Sequence, residues 1–481
     1  MSFSSSLNLE TLRPAVHAAL RAWKTLGGTS ENLLDSLLLV QESRAKVAQD
    51  GSPSSLRDAT NDVLSSALDQ LRNQDPKAKD ADILRTRFID KKIGLKVAKQ
   101  LNMSRDHLNR RQRAAIELLT KILLGREEVL RERRVKVLEE GLPAPTYTRL
   151  FGFEEASTTL TRKLLESQAH FLVAIIGIGG IGKTALADAV TRQIIKSFHF
   201  DEVVWLRVQG HGMNAPNLTL EGLWASLAER LWAGEGTGDS PRQRVVRLRQ
   251  ALKAKPHLVV IDNLEAEADI AYLLPYLGDF ANPSKFLLTT RTRPVGYSVY
   301  SYSLGELSPQ DAATLLRHHA TTIGLYGLAE ASDAESEAIY QVTGGNPLAL
   351  KIVVSLAAVL PLPQILADLK RSPSGQIEKM YRHIYWKAWQ ILSPQARNLL
   401  QATPLISETG ALPEQMAAIS GLTQAHLWTA ITELVSRSLL EVQGTPWQRR
   451  YGIHRLTESF LDTEIIRWDT GRAADAPDVA Y

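Results

Sequence analysis

Short apolar runs alternate with helical patterns through the middle of the chain, and the flanks read differently. "HFLVAIIG" (170–177), "EVVWLRV" (202–208), "PHLVVID" (256–262) and "SKFLLTTR" (284–291) are separated by stretches with helical periodicity. Uninterrupted apolar runs of this kind, joined by helical crossovers, predict the buried strands of a parallel sheet. Toward the N-terminus, apolar positions such as Leu33, Leu34, Leu37, Leu38 and Val40 are interrupted by polar ones, as in helices, and "DGSPSS" (50–55) marks a turn or loop. From Asp62 to Glu140 the pattern is helical again and rich in basic residues. "GLPAPTYT" (141–148), with two prolines and a glycine, is the best linker candidate in the chain. From residue 308 onward the chain is mostly helical, with strand candidates near "SLLEV" (438–442) and "RYGIH" (450–454). No repeat of solenoid length is present.

Composition narrows the class. A chain of 481 residues holds roughly three domains. Its 44% hydrophobic and 22% charged residues are those of an ordinary globular protein. No apolar stretch reaches the ~18 residues of a membrane span, so no membrane partner is expected. "MSFSSSLNLE" lacks a basic segment followed by an apolar one, so secretion is not expected either. The absence of cysteine excludes disulfides and thiolate metal sites and fits a cytoplasmic chain. A net charge of +4 does not by itself imply nucleic acid; its distribution matters more.

"AIIGIGGIGKTALADAV" (174–190) carries the clearest chemistry. Gly177, Gly182, Lys183 and Thr184 fit the Walker A pattern, between a strand-like run and a helical pattern. Glycines let backbone N–H groups turn inward around phosphate oxygens, and the helix N-terminus adds positive potential. Lys183 would reach the β/γ-phosphates, and the Thr184 hydroxyl would take a Mg²⁺ position. A Walker B partner should be an apolar strand ending in an acid, and "HLVVIDNLE" supplies Asp262, placed to hold Mg²⁺ through water. Asn263 stands where many such ATPases carry a second acid as base. An amide accepts no proton, so slow hydrolysis is expected unless Glu265 reaches the site.

These motifs, in this order, resemble the NB-ARC (AP-ATPase) branch of the STAND signal-transduction ATPases, over residues 150–465. That family includes plant disease-resistance proteins, apoptosome scaffolds and many bacterial regulators. "GIGGIGKTALA" is similar to the family's phosphate loop, which would make Gly177, Gly179, Gly180, Ile181, Gly182, Lys183, Thr184 and Ala185 nucleotide-binding. "FDEVVWLRV" (200–208) resembles the strand after the first helix, and "LVVIDNLE" the bacterial form of Walker B. "FLLTTR" resembles the sensor strand, so the resemblance implies that Arg291 reads the γ-phosphate. "GGNPLAL" (344–350) resembles the GLPL motif, implying Pro347 near adenine. "LFGFEEA" (150–156) resembles the segment that lies along the base, implying roles for Phe151 and Gly152. "YGIHRL" (451–456) resembles the end of the family's winged-helix domain, where His454 would contact the β-phosphate of ADP. Two departures stand out: Asn263 in place of the second acid, and Arg455 where the family often has Asp.

The front end carries a second pattern. Ala98, Asn102 and Leu108 keep helix-turn-helix spacing, with Ser104 as N-cap of the second helix. The stretch resembles region four of bacterial sigma factors. Between residues 85 and 113 there are ten lysines and arginines against Asp90 and Asp106, a basic footprint suited to backbone phosphates. Arg105, Asn109, Arg110 and Arg113 recur at helical spacing, as on a face that enters the major groove of double-stranded DNA. Arg111 departs from the pattern, because an apolar residue usually sits there. Helix-turn-helix folds also serve as protein-interaction modules, and both uses stay open here. The mixed-charge run "GREEVLRERRVKVLEE" (125–140) reads as an exposed helix leading to the linker.

The expected architecture is therefore multidomain, α and α/β. A helical region spans 1–140, with a helix-turn-helix at 62–120, and a linker spans 141–149. A P-loop parallel-sheet nucleotide domain (150–305), a helical domain (306–372), a winged-helix domain (373–465) and a tail (466–481) follow. The expected activity is an ADP/ATP-operated switch with Mg²⁺, a slow ATPase forming a homo-oligomer in the ATP state and controlling a DNA-binding effector. The alternative is an oligomerising scaffold, as in bacterial defence, whose N-terminal helices recruit a partner protein. Family members usually end in long sensor repeats, which implies that the signal input here is missing or lies in another polypeptide, a separate sensor or effector protein. A working motor is a third reading, and Asn263 argues against it.

Overall fold

The computed structural model describes residues 7–23, 32–49, 56–74, 79–167, 169–208, 220–232, 240–264, 267–294, 298–371, 385–386, 388–405, 410–437, 439–445, 447–453, 457 and 460–466. The chain divides into two compact units, Met1–Leu138 and Glu139–Tyr481.

The first unit is helical. Helices α1 (Leu9–Arg21), α2 (Leu38–Gln49), α3 (Leu56–Gln74), α4 (Asp80–Leu84) and α5 (Gly94–Gln100) precede α6 (Arg105–Glu140). The run 125–140 does not form a helix of its own. It completes α6, whose 36 residues span about 54 Å at the usual rise. One apolar core gathers Leu12, Val16, Leu64, Leu68, Leu84 and Leu119. Glu127, buried on α6, accepts from the backbone N–H groups of Leu38 and Leu39, both at 3.1 Å, and so caps α2 from a distance. Arg131, one turn on, neutralises it at 2.7 Å.

The second unit is built on a parallel sheet. Its strands are β1 (Leu172–Ile176), β2 (Glu202–Arg207), β3 (His257–Asp262), β4 (Lys285–Thr290) and β5 (Val299–Ser303). Among the described residues they lie in the order β2-β3-β4-β1-β5, every pairing parallel. Strands β1, β3 and β4 are buried along their whole length, as strands covered on both faces must be. Helices α7 (Glu154–Leu165), α8 (Lys183–Ile195), α9 (Leu220–Leu231), α10 (Pro241–Ala254) and α11 (Glu267–Phe280) accompany the sheet. Leu223, Leu227, Leu248, Leu273 and Leu277 seal one side of it. Edge strand β5, "VYSYS", is only half-buried.

Five helices follow: α12 (Pro309–Thr322), α13 (Tyr326–Ala329), α14 (Asp333–Thr343), α15 (Pro347–Ala357) and α16 (Leu362–Arg371). Further on come α17 (Pro394–Ala402), α18 (Pro413–Ser420), α19 (Gln424–Ser436), an antiparallel hairpin of β6 (Glu441–Thr445) and β7 (Gln448–Gly452), and a short helical segment at Leu461–Ile466. Among the described residues no helix is long and apolar enough to cross a membrane.

Candidate functional site

Strand β1 delivers the chain into the glycine loop, and α8 leaves it starting at Lys183, the lysine of the motif. Gly182 takes φ 102°, and a Cβ there would sit 2.6 Å from the Phe153 ring, so only glycine lets the loop close on the helix. Gly180 takes φ 74° and abuts Leu348 and Asn346. Lys183 Nζ donates to the carbonyls of Gly177 (2.8 Å) and Ile178 (3.0 Å), which holds the ammonium over the loop.

The ends of β3 and β4 meet this loop. Asp262 is 1% exposed. Its Oδ1 accepts from Thr184 Oγ1 at 2.8 Å and from Thr289 Oγ1 at 2.6 Å. Its Oδ2 is buried with no hydrogen bond among the described residues. An orphaned carboxylate oxygen beside the loop threonine fits a divalent cation held by Thr184 and, through water, by Asp262. Asn263 does different work. Its backbone is left-handed (φ 74°), its N–H donates to Thr289 Oγ1 at 2.7 Å, and its Nδ2 donates to the Val208 carbonyl at 2.9 Å. The amide fastens β3 to β2, a bond that an acid in this place would not make.

A cavity of about 640 Å³ opens over these groups. Phe151, Gly179, Gly180, Gly182, Lys183, Thr184, Ala185, Asp262, Arg291 and Pro347 all line it, so the structure brings most of the candidate nucleotide residues together. Gly152, Gly177 and Ile181 stand behind it. Ile181 is buried, its side chain fills the space a Cβ on Gly177 would need, and Gly152 packs on Asp311 and Leu307. Phe151 is mostly buried, its ring tilted 5.3 Å from that of His318 on α12. Glu265 and His454 lie outside the described residues, as does Arg455.

Several groups in or around the cavity wall escaped sequence reasoning. Asn346, 2% exposed, caps α15 by accepting from the N–H groups of Leu348 (3.0 Å) and Ala349 (3.3 Å). The same side chain donates through Nδ2 to the carbonyl of Gly179 at 3.0 Å, tying α15 to the phosphate loop. Tyr147 donates to Asp188 Oδ2 at 2.7 Å, and Arg192 pairs with Asp188 at 2.9 Å while holding the Pro143 carbonyl at 2.7 Å. Burial, then the Asp188 carboxylate, pushes the Tyr147 hydroxyl well above its usual pKa. The segment before α7 is thereby clasped to α8. Arg207, Lys351, Gln448 and Arg450 also line the cavity.

Residues 153–322 match the NB-ARC domain model. This chain carries an NB-ARC domain. The NB-ARC domain is a P-loop nucleotide-binding module, and the phosphate loop and Asp262 both fall inside the match. The chain is 27% identical over 251 residues to disease resistance protein RPH8A of Arabidopsis thaliana, covering 49% of this chain and 26% of that protein. It is 24% identical over 370 residues to an uncharacterized WD repeat-containing protein of Nostoc, covering 69% of this chain and 28% of that one. The matched segments thus span about a quarter of the length of these relatives. A STAND protein with a tetratricopeptide repeat sensor from Pyrococcus horikoshii aligns with a TM-score of 0.42 and 19% identity, over 66% of this chain and 43% of that one.

The basic face lies wholly in the first unit. Asn102 takes φ 54° between α5 and α6, and Ser104 Oγ accepts from the His107 N–H at 3.2 Å. Ala98 and Leu108 are buried together with Ile83 and Val97. Arg105, Asn109, Arg110 and Arg113 are all exposed on the first turns of α6. Arg111 is instead paired with Asp80 at 2.8 Å, which accounts for a cation at an otherwise apolar position.

Proposed function

We propose that this chain is an ADP/ATP-operated signalling switch of the STAND kind, whose nucleotide state controls the N-terminal helical unit. One observation carries the reading: a single cavity is lined by the phosphate loop, by Pro347, Leu348 and Lys351 of α15, and by Gln448 and Arg450 of the hairpin. A ligand filling it binds three separate parts of the chain at once. ADP and ATP differ by one phosphate, so they differ in their contacts with these parts, and only such differential contacts shift a conformational equilibrium.

The division of labour follows from the chemistry of each group. Amides of the loop and of the α8 N-terminus, with Lys183, hold the β-phosphate region. Arg291, at the end of β4, supplies a bidentate donor suited to a third phosphate. Thr184 and Asp262 would hold Mg²⁺, which neutralises phosphate charge when bound. Asn263 contributes no base, so hydrolysis is slow and the ATP state long-lived. The ATP state is the one that assembles into a homo-oligomer. Pro347 borders the base, and His454 belongs to the diphosphate state.

For output, the exposed Arg105, Asn109, Arg110 and Arg113 favour duplex DNA as the partner and transcription regulation as the role. A second reading, an oligomerising scaffold that recruits a protein, draws support from a shallow groove of the first unit containing Leu118, Ile122 and Val129. A salt titration of duplex binding by the full chain separates them. The regulator reading requires affinity that falls steeply with salt and drops in Arg105→Glu and Arg110→Glu. No binding at low salt overturns it in favour of the scaffold.

A further inference from the structure

The parallel register of β2 and β3 sets Arg207 directly opposite Asp262. Two bonds lock these strand ends together: the Val208 N–H donates to the Asp262 carbonyl at 2.9 Å, and Asn263 Nδ2 donates to the Val208 carbonyl at 2.9 Å. Arg207 is therefore positioned by backbone pairing rather than by a mobile loop. Its Nε lies 3.9 Å from Asp262 Oδ2, the carboxylate oxygen that accepts no hydrogen bond, while two threonine hydroxyls occupy Oδ1. The side chain is 35% exposed and lines the nucleotide cavity.

We propose that Arg207 is a resident counter-cation for Asp262 that takes over part of the role of the divalent metal. The proposal rests on the nucleotide-switch reading. A guanidinium keeps its charge at every physiological pH, so Asp262 is compensated before any metal arrives. Arg207 also adds positive potential to the phosphate end alongside Lys183. A diphosphate then binds without needing Mg²⁺, and a metal entering beside Oδ2 meets a like charge and binds weakly. Nucleotide retention in this chain depends little on divalent cation, a property suited to a stored state.

The test compares the full-length protein with Arg207→Met, which keeps the stem and removes the charge, and with Arg207→Lys, which keeps the charge. Fluorescent ADP is titrated in EDTA and in excess Mg²⁺. Mn²⁺ binding in the presence of ADP is followed separately by electron paramagnetic resonance. The unaltered chain and Arg207→Lys lose less than about threefold in ADP affinity on metal removal. Arg207→Met loses about tenfold or more and binds Mn²⁺ about tenfold more tightly, a modest effect for a charge so close to a buried carboxylate. Equal metal dependence in the unaltered chain and Arg207→Met overturns the proposal. So does a loss above about tenfold in the unaltered chain, which decides the matter even where Arg207→Met does not fold. ADP binding with such metal dependence leaves the switch reading standing, whereas no nucleotide binding in any condition overturns both.

Discussion

Asn346 ties the phosphate loop to a helix 167 residues away in sequence, and its removal tests whether that tie holds the site together. Three bonds converge on one buried amide: two cap α15, and the third satisfies the Gly179 carbonyl. Loss of an N-cap costs about 1 kcal/mol, and loss of a buried side-chain to backbone bond costs about 1 kcal/mol more. Asn346→Ala is therefore expected to destabilise the second unit by about 2 kcal/mol, read from urea unfolding. Asn346→Asp separates the two roles. Its carboxylate still accepts from the α15 N–H groups, where the helix dipole favours it, but it cannot donate to Gly179. Hydrogen exchange should then show protection retained at Leu348 and Ala349 and lost in the 179–182 loop. Wild-type protection of the loop in Asn346→Asp, or a cost below ~0.5 kcal/mol for Asn346→Ala, would refute the bridge.

Other perturbations follow from the same contacts. Gly182→Ala forces a Cβ within 2.6 Å of the Phe153 ring at φ 102°, so ADP affinity should fall by more than about tenfold; an unchanged titration would contradict the packing. Lys285 is 1% exposed and donates to the carbonyls of Lys163, Glu166 and Ala169, ending α7. Lys285→Met should cost about 3 kcal/mol in a denaturant titration, roughly one for each orphaned carbonyl. Burial, then Lys351 and His318, lowers His319 from 6.5 to about 4. The unfolded chain takes up that proton first, so stability is lost as pH falls from 6.5 toward 4, by at most about 3 kcal/mol. His319→Gln should flatten the unfolding profile across that window and leave it unchanged above it.

The contrast between Lys183 and Asn346 shows what a single sequence reveals. The gathering of Lys183, Thr184 and Asp262 around one cavity was legible because each position is marked locally, in a glycine loop or at the acid end of an apolar run. Strand β5 was not, because "VYSYS" mixes polar and aromatic residues on a half-buried edge and offers no apolar run. Asn346 reads as an ordinary residue before a helix proline, and only the approach of α15 to the loop gives its amide a second partner. Arg207 and the Tyr147–Asp188–Arg192 clasp likewise depend on register and docking, which residue spacing does not encode. Asn263 was recognised as a departure from the expected acid, but its structural work on Val208 required the left-handed turn at the end of β3. The charged run 125–140 was correctly helical yet read as separate, since nothing in its pattern shows that α6 passes through it unbroken.

The central claim is that one bound nucleotide is read by the phosphate loop, α15 and the hairpin together. Hydrogen exchange of the full chain, loaded with ADP or with a non-hydrolysable ATP analogue, measures this most directly. The account predicts protection of the 177–185 loop with both ligands, and a difference between the two at the start of α15 and along β7. Identical exchange at α15 and β7 with either nucleotide would contradict it.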